Sequence, residues 1–592
     1  MHTAETGYGI EPGTARAATT RRFKLLDKLA VGRGGLVLAA LAFVLTLPAL
    51  RLGFMTDDRA FAEKFQRGDG PLVVYSMTGE EVAASKERGM FPWWTSPNLH
   101  LKFFRPLSAL SHQLEYAAWP DAPWLMHLTN GVLYALVVLL AFYVYRELLP
   151  TQPSVAALAA LMFAIDDGHA TTTGWIASRS MLLATLFALA SVLFHVRARA
   201  RSEPLLRVVS VGCLVLSLSS AESGLATLAY LGAYALTFEK GSLPRRVATL
   251  LPELAVFAIW AVIYVSGNYG VRGVALYREL SSPLSLIAQG LTDLPAWILM
   301  LLGPSLLDLA MLQAPVPARL VATLLCLPLL AALWVTLPRT KEVRFFALGA
   351  LFSLPPLFST LPQDRLLVSA SFGGFGVLAS FLVVALSRRS PPRWLRVTRG
   401  VLIALHLVVA PLLFVPALGQ NQLIERAAAV VEAAVPELPP RQIVLLNTPI
   451  ELMNTYAWER MRSEPNRKRP DTFAQLYAGS STLTVRRVDA RTLELRPEHG
   501  WGRVPLEHMF TKIADMPRAG AHLTVSGMEV IIEESAPDGR PTRVSFRFPT
   551  PLEDAQRLFL VWEGTRPVPW QPPANGEEVK LAPLNLLNMI QS

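Results

Sequence analysis

Charge is scarce in this chain, and cysteine is nearly absent. Only 17% of its 592 residues are charged, against roughly a quarter in an average soluble domain. That leaves too little polar surface to cover a water-soluble body of this size. The two cysteines, Cys213 and Cys326, lie inside apolar runs, which excludes a disulfide-stapled secreted scaffold. With 52% apolar residues, disorder is excluded as well.

What the chain has in excess is hydrophobic sequence. The mean hydropathy is +0.36, and apolar stretches of about 20 residues recur between positions 35 and 418, the length a bilayer-spanning helix requires. A β-barrel would instead show alternating segments of about 10 residues. The net charge of +10 is not a nucleic-acid signal. From Gly419 onward there are 20 Lys and Arg against 21 Asp and Glu, so the surplus lies wholly in the apolar part, at 35 against 24. It falls in short clusters: positions 16–33, Arg197/Arg199/Arg201/Arg207, Lys240/Arg245/Arg246, Arg339/Lys341/Arg344 and Arg388/Arg389/Arg393/Arg396/Arg399. Basic clusters alternating with charge-poor loops mark the cytoplasmic side of a membrane protein.

These features predict a polytopic α-helical membrane protein with about 11 transmembrane helices. Residues 1–34 form a basic cytoplasmic N-terminus, with no small-x-small cleavage site after the first apolar run at 35–54. The transmembrane domain covers 35–418 and carries an external loop at 55–123. Further spans are expected near 124–145, 154–166, 175–196, 208–221, 224–238, 248–267, 318–336, 345–361, 366–386 and 400–418. Positions 284–303 decide the parity. If they span, two basic clusters fall outside; if they lie on or re-enter the outer face, every cluster falls inside. Asp293, Pro295 and Asp308 favour the second choice, a broken interfacial helix, which leaves the C-terminal part outside. Residues 419–440 read as a short helix and linker. A β-rich extracytoplasmic domain is expected at 441–592, with strands at 442–446, 481–488, 492–496, 528–534, 542–548 and 557–562. Val544, Phe546 and Phe548 alternate with polar residues as on a half-buried strand, and Asp538-Gly539 marks a hairpin turn. Its balanced charge suggests a domain able to fold alone.

Polar residues of the membrane part gather at the outer ends of helices. They are Asp57-Asp58 after the first span, Arg105, Asp166-Asp167-Gly168-His169, Arg179, Glu222 and Asp364-Arg365. Paired carboxylates at a membrane surface can act as a general base or hold a cation, and arginines can clamp a lipid-linked phosphate. Each group also has a plainer reading: loop solvation or helix capping for Asp57-Asp58, a turn for 166–169, interfacial anchoring for the arginines. Glu222 beside a span is costly unless paired or hydrated. Trp93-Trp94 reads as part of an aromatic belt.

The order of Asp57-Asp58, Phe104-Arg105-Pro106-Leu107, His127-Leu128-Thr129-Asn130, His169 with Trp175-Ile176-Ala177-Ser178-Arg179, Ser220-Ala221-Glu222-Ser223 and Asp364-Arg365-Leu366-Leu367 resembles the membrane core of the GT-C glycosyltransferases. Within them it resembles the protein O-mannosyltransferase-like enzymes, over about 30–420. Where related sequences carry a Glu this chain has Thr171, and where they carry a Lys it has Ala221. The resemblance implies a GT-C-like fold and transfer of a sugar from a polyprenyl-phosphate donor to an envelope acceptor (protein, lipid or glycan) on the outer face of the inner (plasma) membrane. It implies Asp57 and Asp58 as the catalytic pair, with Asp57 favoured as base. Arg105, His169, Arg179, Glu222 and Arg365 are expected to bind substrate or lipid phosphate, and Asp58, Asp166 and Asp167 to hold a divalent cation, Mg or Mn. The expected partners are membrane lipids, the donor and the acceptor, with no nucleic acid. A transporter or flippase, and a catalytically silent envelope scaffold, are the competing readings. A transporter would place ionisable groups near the midplane and often show internal repeats.

Overall fold

The computed structural model describes residues 23–278, 282–303, 307–464 and 467–584. Among these, seven helices are long and apolar enough to cross a membrane: Gly34–Arg51, Pro123–Leu148, Ile176–Arg201, Pro283–Leu302, Pro315–Thr336, Asp364–Ser387 and Arg393–Ala433. Pro153–Ile165, Pro204–Leu218 and Leu251–Ser266 are shorter apolar helices, and Ala226–Thr237 and Lys341–Phe352 pack among them. Several of these helices begin on proline, including those at Pro123, Pro153, Pro204 and Pro315. The fixed φ of proline suits the first helical turn, where its missing N–H is not needed.

The helix Pro283–Leu302 is continuous through Pro295, so the expectation of a broken helix is corrected. Asp293 is tolerated inside it because Arg278 and Arg319 both pair with its carboxylate. The described segments on either side of it both contact the stretch 359–364. Before the helix, Arg278 N–H donates to Ser359 C=O at 2.8 Å and Leu361 N–H to Leu276 C=O at 2.9 Å. After it, the Asp308 carboxylate accepts from Asp364 N–H at 2.9 Å. Both flanks are thus tied to 359–364, while the helix's last residue, Leu302, accepts a bond from His406 on the final apolar helix at 2.9 Å.

The C-terminal part contains two sheets. Six antiparallel strands run in the order Glu578–Leu581, Leu483–Arg487, Thr492–Pro497, Pro541–Arg547, Met528–Ser535, His522–Val525. A four-stranded sheet orders Arg566–Trp570, Arg557–Glu563, Gln442–Leu445, Thr472–Gln475. The last two strands are parallel, which demands a crossover, and the helix Leu452–Ser463 supplies it. The six strands expected from alternation are all present. The crossover helix and the strand it leads to were not anticipated.

This domain does not close its core with its own residues. Trp93 and Trp94, from the external loop, are 2% and 0% exposed within it, so the expectation of an aromatic belt is overturned. The Trp93 indole N–H donates to Leu476 C=O at 3.0 Å, a carbonyl that also accepts from the Trp501 indole at 3.0 Å. At Gly89, with φ of +79°, a Cβ would lie 2.3 Å from Phe473 C=O, so only glycine admits this approach. A fragment 440–592, expected to fold alone, would lack these two buried tryptophans. Trp93→Ala is expected to destabilise the C-terminal domain by about 3–5 kcal/mol, read as a lower denaturation midpoint of the full-length protein. An unchanged midpoint would show that the loop only rests on the domain.

Candidate active site at the outer end of the bundle

The helix Asp57–Gln66 begins immediately after Thr56, whose φ of 47° is rare for a residue other than glycine. Such strain persists only where surrounding bonds over-determine it, and here they do. Thr56 N–H donates to Glu425 at 3.1 Å, and Glu425 is held in turn by Arg59 at 2.9 Å and Arg460 at 2.6 Å. Asp58, fully buried, accepts from Met55 N–H at 2.9 Å and Ala177 N–H at 2.8 Å, one on each carboxylate oxygen. Tyr116 donates to its carbonyl at 2.8 Å.

The adjacent acids therefore have different tasks. Asp58 positions the helix start against the turn at 176–178, with both carboxylate oxygens held by backbone N–H groups, unlike the open carboxylate expected of a catalytic residue or metal ligand. Burial outweighs its two backbone bonds and pushes its carboxyl up to about 8. Asp57 is only partly buried and accepts from the Tyr456 hydroxyl at 2.9 Å. Burial raises its pKa, while the Tyr456 bond and the Arg365 charge pull it back. Arg365 lies over the Trp175 ring, 5.3 Å from its centroid, and its Nε donates to Gln363 at 2.8 Å. Asp57, Arg365, Trp175 and Tyr456 thus share one locality.

Other expected site residues are placed elsewhere or are fully engaged. Arg179 is 1% exposed; its guanidinium bonds Asn130 at 2.8 Å and Met126 C=O at 3.0 Å and pairs with Glu115. It is a packing residue, so its assignment to phosphate is corrected. His169 is buried between Phe163 C=O at 3.0 Å, Tyr134 and Ser371 at 2.7 Å, which removes it from substrate contact. Arg105 and Glu222 form a pair at 2.8 Å, with Arg105 stacked on Phe103. The pairing is what lets Glu222 sit beside a helix end. Asp166 lies within electrostatic reach of Asp167 and Asp364, but Asp58 does not join them. Among the described residues no group of three or more His, Cys, Asp or Glu side chains is gathered to hold a metal ion.

Sequence reasoning missed Tyr456, Glu425 and Glu459. All three come from beyond position 420 and reach Asp57 only through the fold. Glu459 is buried on the same helix as Tyr456, and burial beside Glu63 and Asp57 pushes it up to about 8.

Asp58 supplies a stability test. Its folded pKa of about 8 exceeds the ordinary 3.8, so its contribution is fully present below pH 3.8 and is lost as pH rises through 8. Asp58→Asn is expected to flatten that decline in the unfolding midpoint. It also leaves two N–H donors with one carbonyl oxygen, at a cost of about 1–3 kcal/mol. Asp57→Asn is expected to leave the midpoint nearly unchanged. Equal effects of the two variants would refute this division of roles.

No family model matches the chain. Protein O-mannosyl-transferase Tmtc1 of Drosophila melanogaster is 34% identical over 147 residues, 24% of this chain and 16% of that protein. Human protein O-mannosyl-transferase TMTC3 is 31% identical over 98 residues, 17% of this chain and 10% of its own length. The match therefore spans less than a fifth of these relatives. Among solved structures, ArnT of Cupriavidus metallidurans bound to undecaprenyl phosphate aligns over 75% of this chain and 90% of its own, at 12% identity and a TM-score of 0.36. The mycobacterial arabinofuranosyltransferase AftD aligns over 87% and 40%, at 15% identity and a TM-score of 0.32. Over 147 residues the chain is similar to a protein O-mannosyl-transferase.

Proposed function

We propose that the protein is a membrane glycosyltransferase of the GT-C type that uses a polyprenyl-phosphate sugar at the outer face of the membrane. The observation that carries this reading is the juxtaposition of a partly exposed carboxylate with raised pKa, Asp57, and an arginine stacked on tryptophan, Arg365. It is supported by the relatedness to O-mannosyltransferases over 147 residues.

In the proposed reaction an acceptor hydroxyl gives its proton to Asp57 as its oxygen attacks the anomeric carbon. The bond from that carbon to the phosphate oxygen breaks, and the lipid phosphate leaves with the electron pair beside the Arg365 guanidinium, inverting the centre. Burial helps here, because a carboxylate lifted toward neutral pH is a stronger base than an exposed one. The basic clusters are assigned to the cytoplasm and the C-terminal domain to the outside.

A positioned general base is worth about 10²–10⁴-fold in rate. A deletion strain complemented with Asp57→Asn is therefore expected to accumulate sugar-charged lipid carrier, while wild type restores turnover. Unaltered glycans and carriers in the deletion itself would sink the enzyme reading. Tyr456→Phe removes a bond that favours ionised Asp57, so the acid limb of the pH–rate profile is expected to move to higher pH. An unmoved limb would exclude Asp57 as the titrating base. A reporter that works only outside the cytoplasm is expected to be active when fused after Ser592; activity of a cytoplasm-dependent reporter there would reverse the orientation.

A further inference from the structure

A cavity of about 320 Å³ opens away from Asp57, between the end of the external helix Gly79–Glu87 and the crossover helix Leu452–Ser463. Its wall includes Arg88, Arg462 and Arg469, with Trp458, Met90 and Asp471. The balance of charge inside it is positive. Asp471 is neutralised by Arg441 at 2.8 Å, and Arg462 is paired with Glu63. Arg88 makes no ion pair among the described residues, and Arg469 lies within electrostatic reach of Glu63, which Arg67 and Arg462 already contact. Trp458, 4% exposed, contributes to the cavity wall beside these arginines.

We propose that this cavity binds an oxyanion, a phosphate or carboxylate group borne on a saccharide, through Arg88 and Arg469. Guanidinium groups match such anions through paired N–H bonds. Arg462 is held by Glu63, on the helix that begins with Asp57, so one wall of the cavity is continuous with the candidate active site. From Arg462 to Tyr456 the crossover helix rises about 9 Å. On the transferase reading, and resting on it, the anion would therefore belong to the acceptor.

The test is titration of the detergent-solubilised full-length protein with inorganic phosphate, glucuronate and, as neutral control, glucose. Wild type is expected to bind at least one of the two anions and not glucose, with affinity falling as salt rises. Whichever anion binds more tightly identifies the group. The Arg88→Gln/Arg469→Gln variant, altered only at exposed side chains, is expected to bind at least tenfold more weakly with an unchanged unfolding midpoint. Absence of anion binding, binding undiminished in the arginine variant, or equal binding of glucose would overturn the proposal. Asp57→Asn is expected to bind as wild type does, so failure of transfer and failure of this site are read separately. Anion binding lost in Asp57→Asn would relocate the site and overturn it too.

Discussion

The end of the bundle that carries the candidate site is organised around one buried carboxylate. Asp58 receives Met55 N–H on one oxygen and Ala177 N–H on the other, and so joins the end of the first apolar helix to the turn that starts Ile176–Arg201. Replacing either bond with water is not possible at a fully buried position, so the loop has one low-energy course. That course forces Thr56 into a positive φ and leaves Asp57 at the first position of its helix, turned toward Tyr456 and Arg365. Neighbouring acids on one loop thus end in opposite environments because the first two turns of a helix point successive side chains in different directions.

The same loop explains why the membrane and C-terminal parts form one body. Glu425 bonds Thr56 and Arg59 on one side and Arg460 on the other, while Trp93 and Trp94 are built into the core of the C-terminal sheets. Large aromatic side chains bury extensive area and so dominate such contacts. The crossover helix Leu452–Ser463 is pinned from below by Asp57 through Tyr456 and from beside by Gly89 C=O through Asn454, at 2.6 Å. A shift in that helix is consequently felt at the candidate base through the Tyr456 hydroxyl.

The surroundings of Pro283–Leu302 have a comparable logic. An aspartate at the middle of an apolar helix is tolerable when neutralised, and Arg278 and Arg319 come from the two segments that flank the helix. The bonds from 276–278 and from Asp308 to 359–364 then hold both flanks at the same end of the bundle.

Much of this was legible in the sequence. Apolar runs of spanning length, basic clusters on alternate loops and the period-two strands of Thr492–Pro497 and Pro541–Arg547 follow from local composition, because burial in lipid and on a sheet face each impose a short-range pattern. Asp57 and Arg365 were recognisable as candidates from their motifs. The separation of Asp57 from Asp58, the burial of Arg179 and His169, and the passage of Trp93 into a distant core were not. Each depends on partners 35 to 383 positions away (Tyr134 for His169, Ala177 for Asp58, Leu476 for Trp93), and no local periodicity encodes which side chain a folded chain will bring beside another. The sequence by itself determined that the chain enters a membrane and where its outer-face acids and arginines lie; tertiary packing alone decided which of them are consumed as structural bonds and which remain turned toward a substrate.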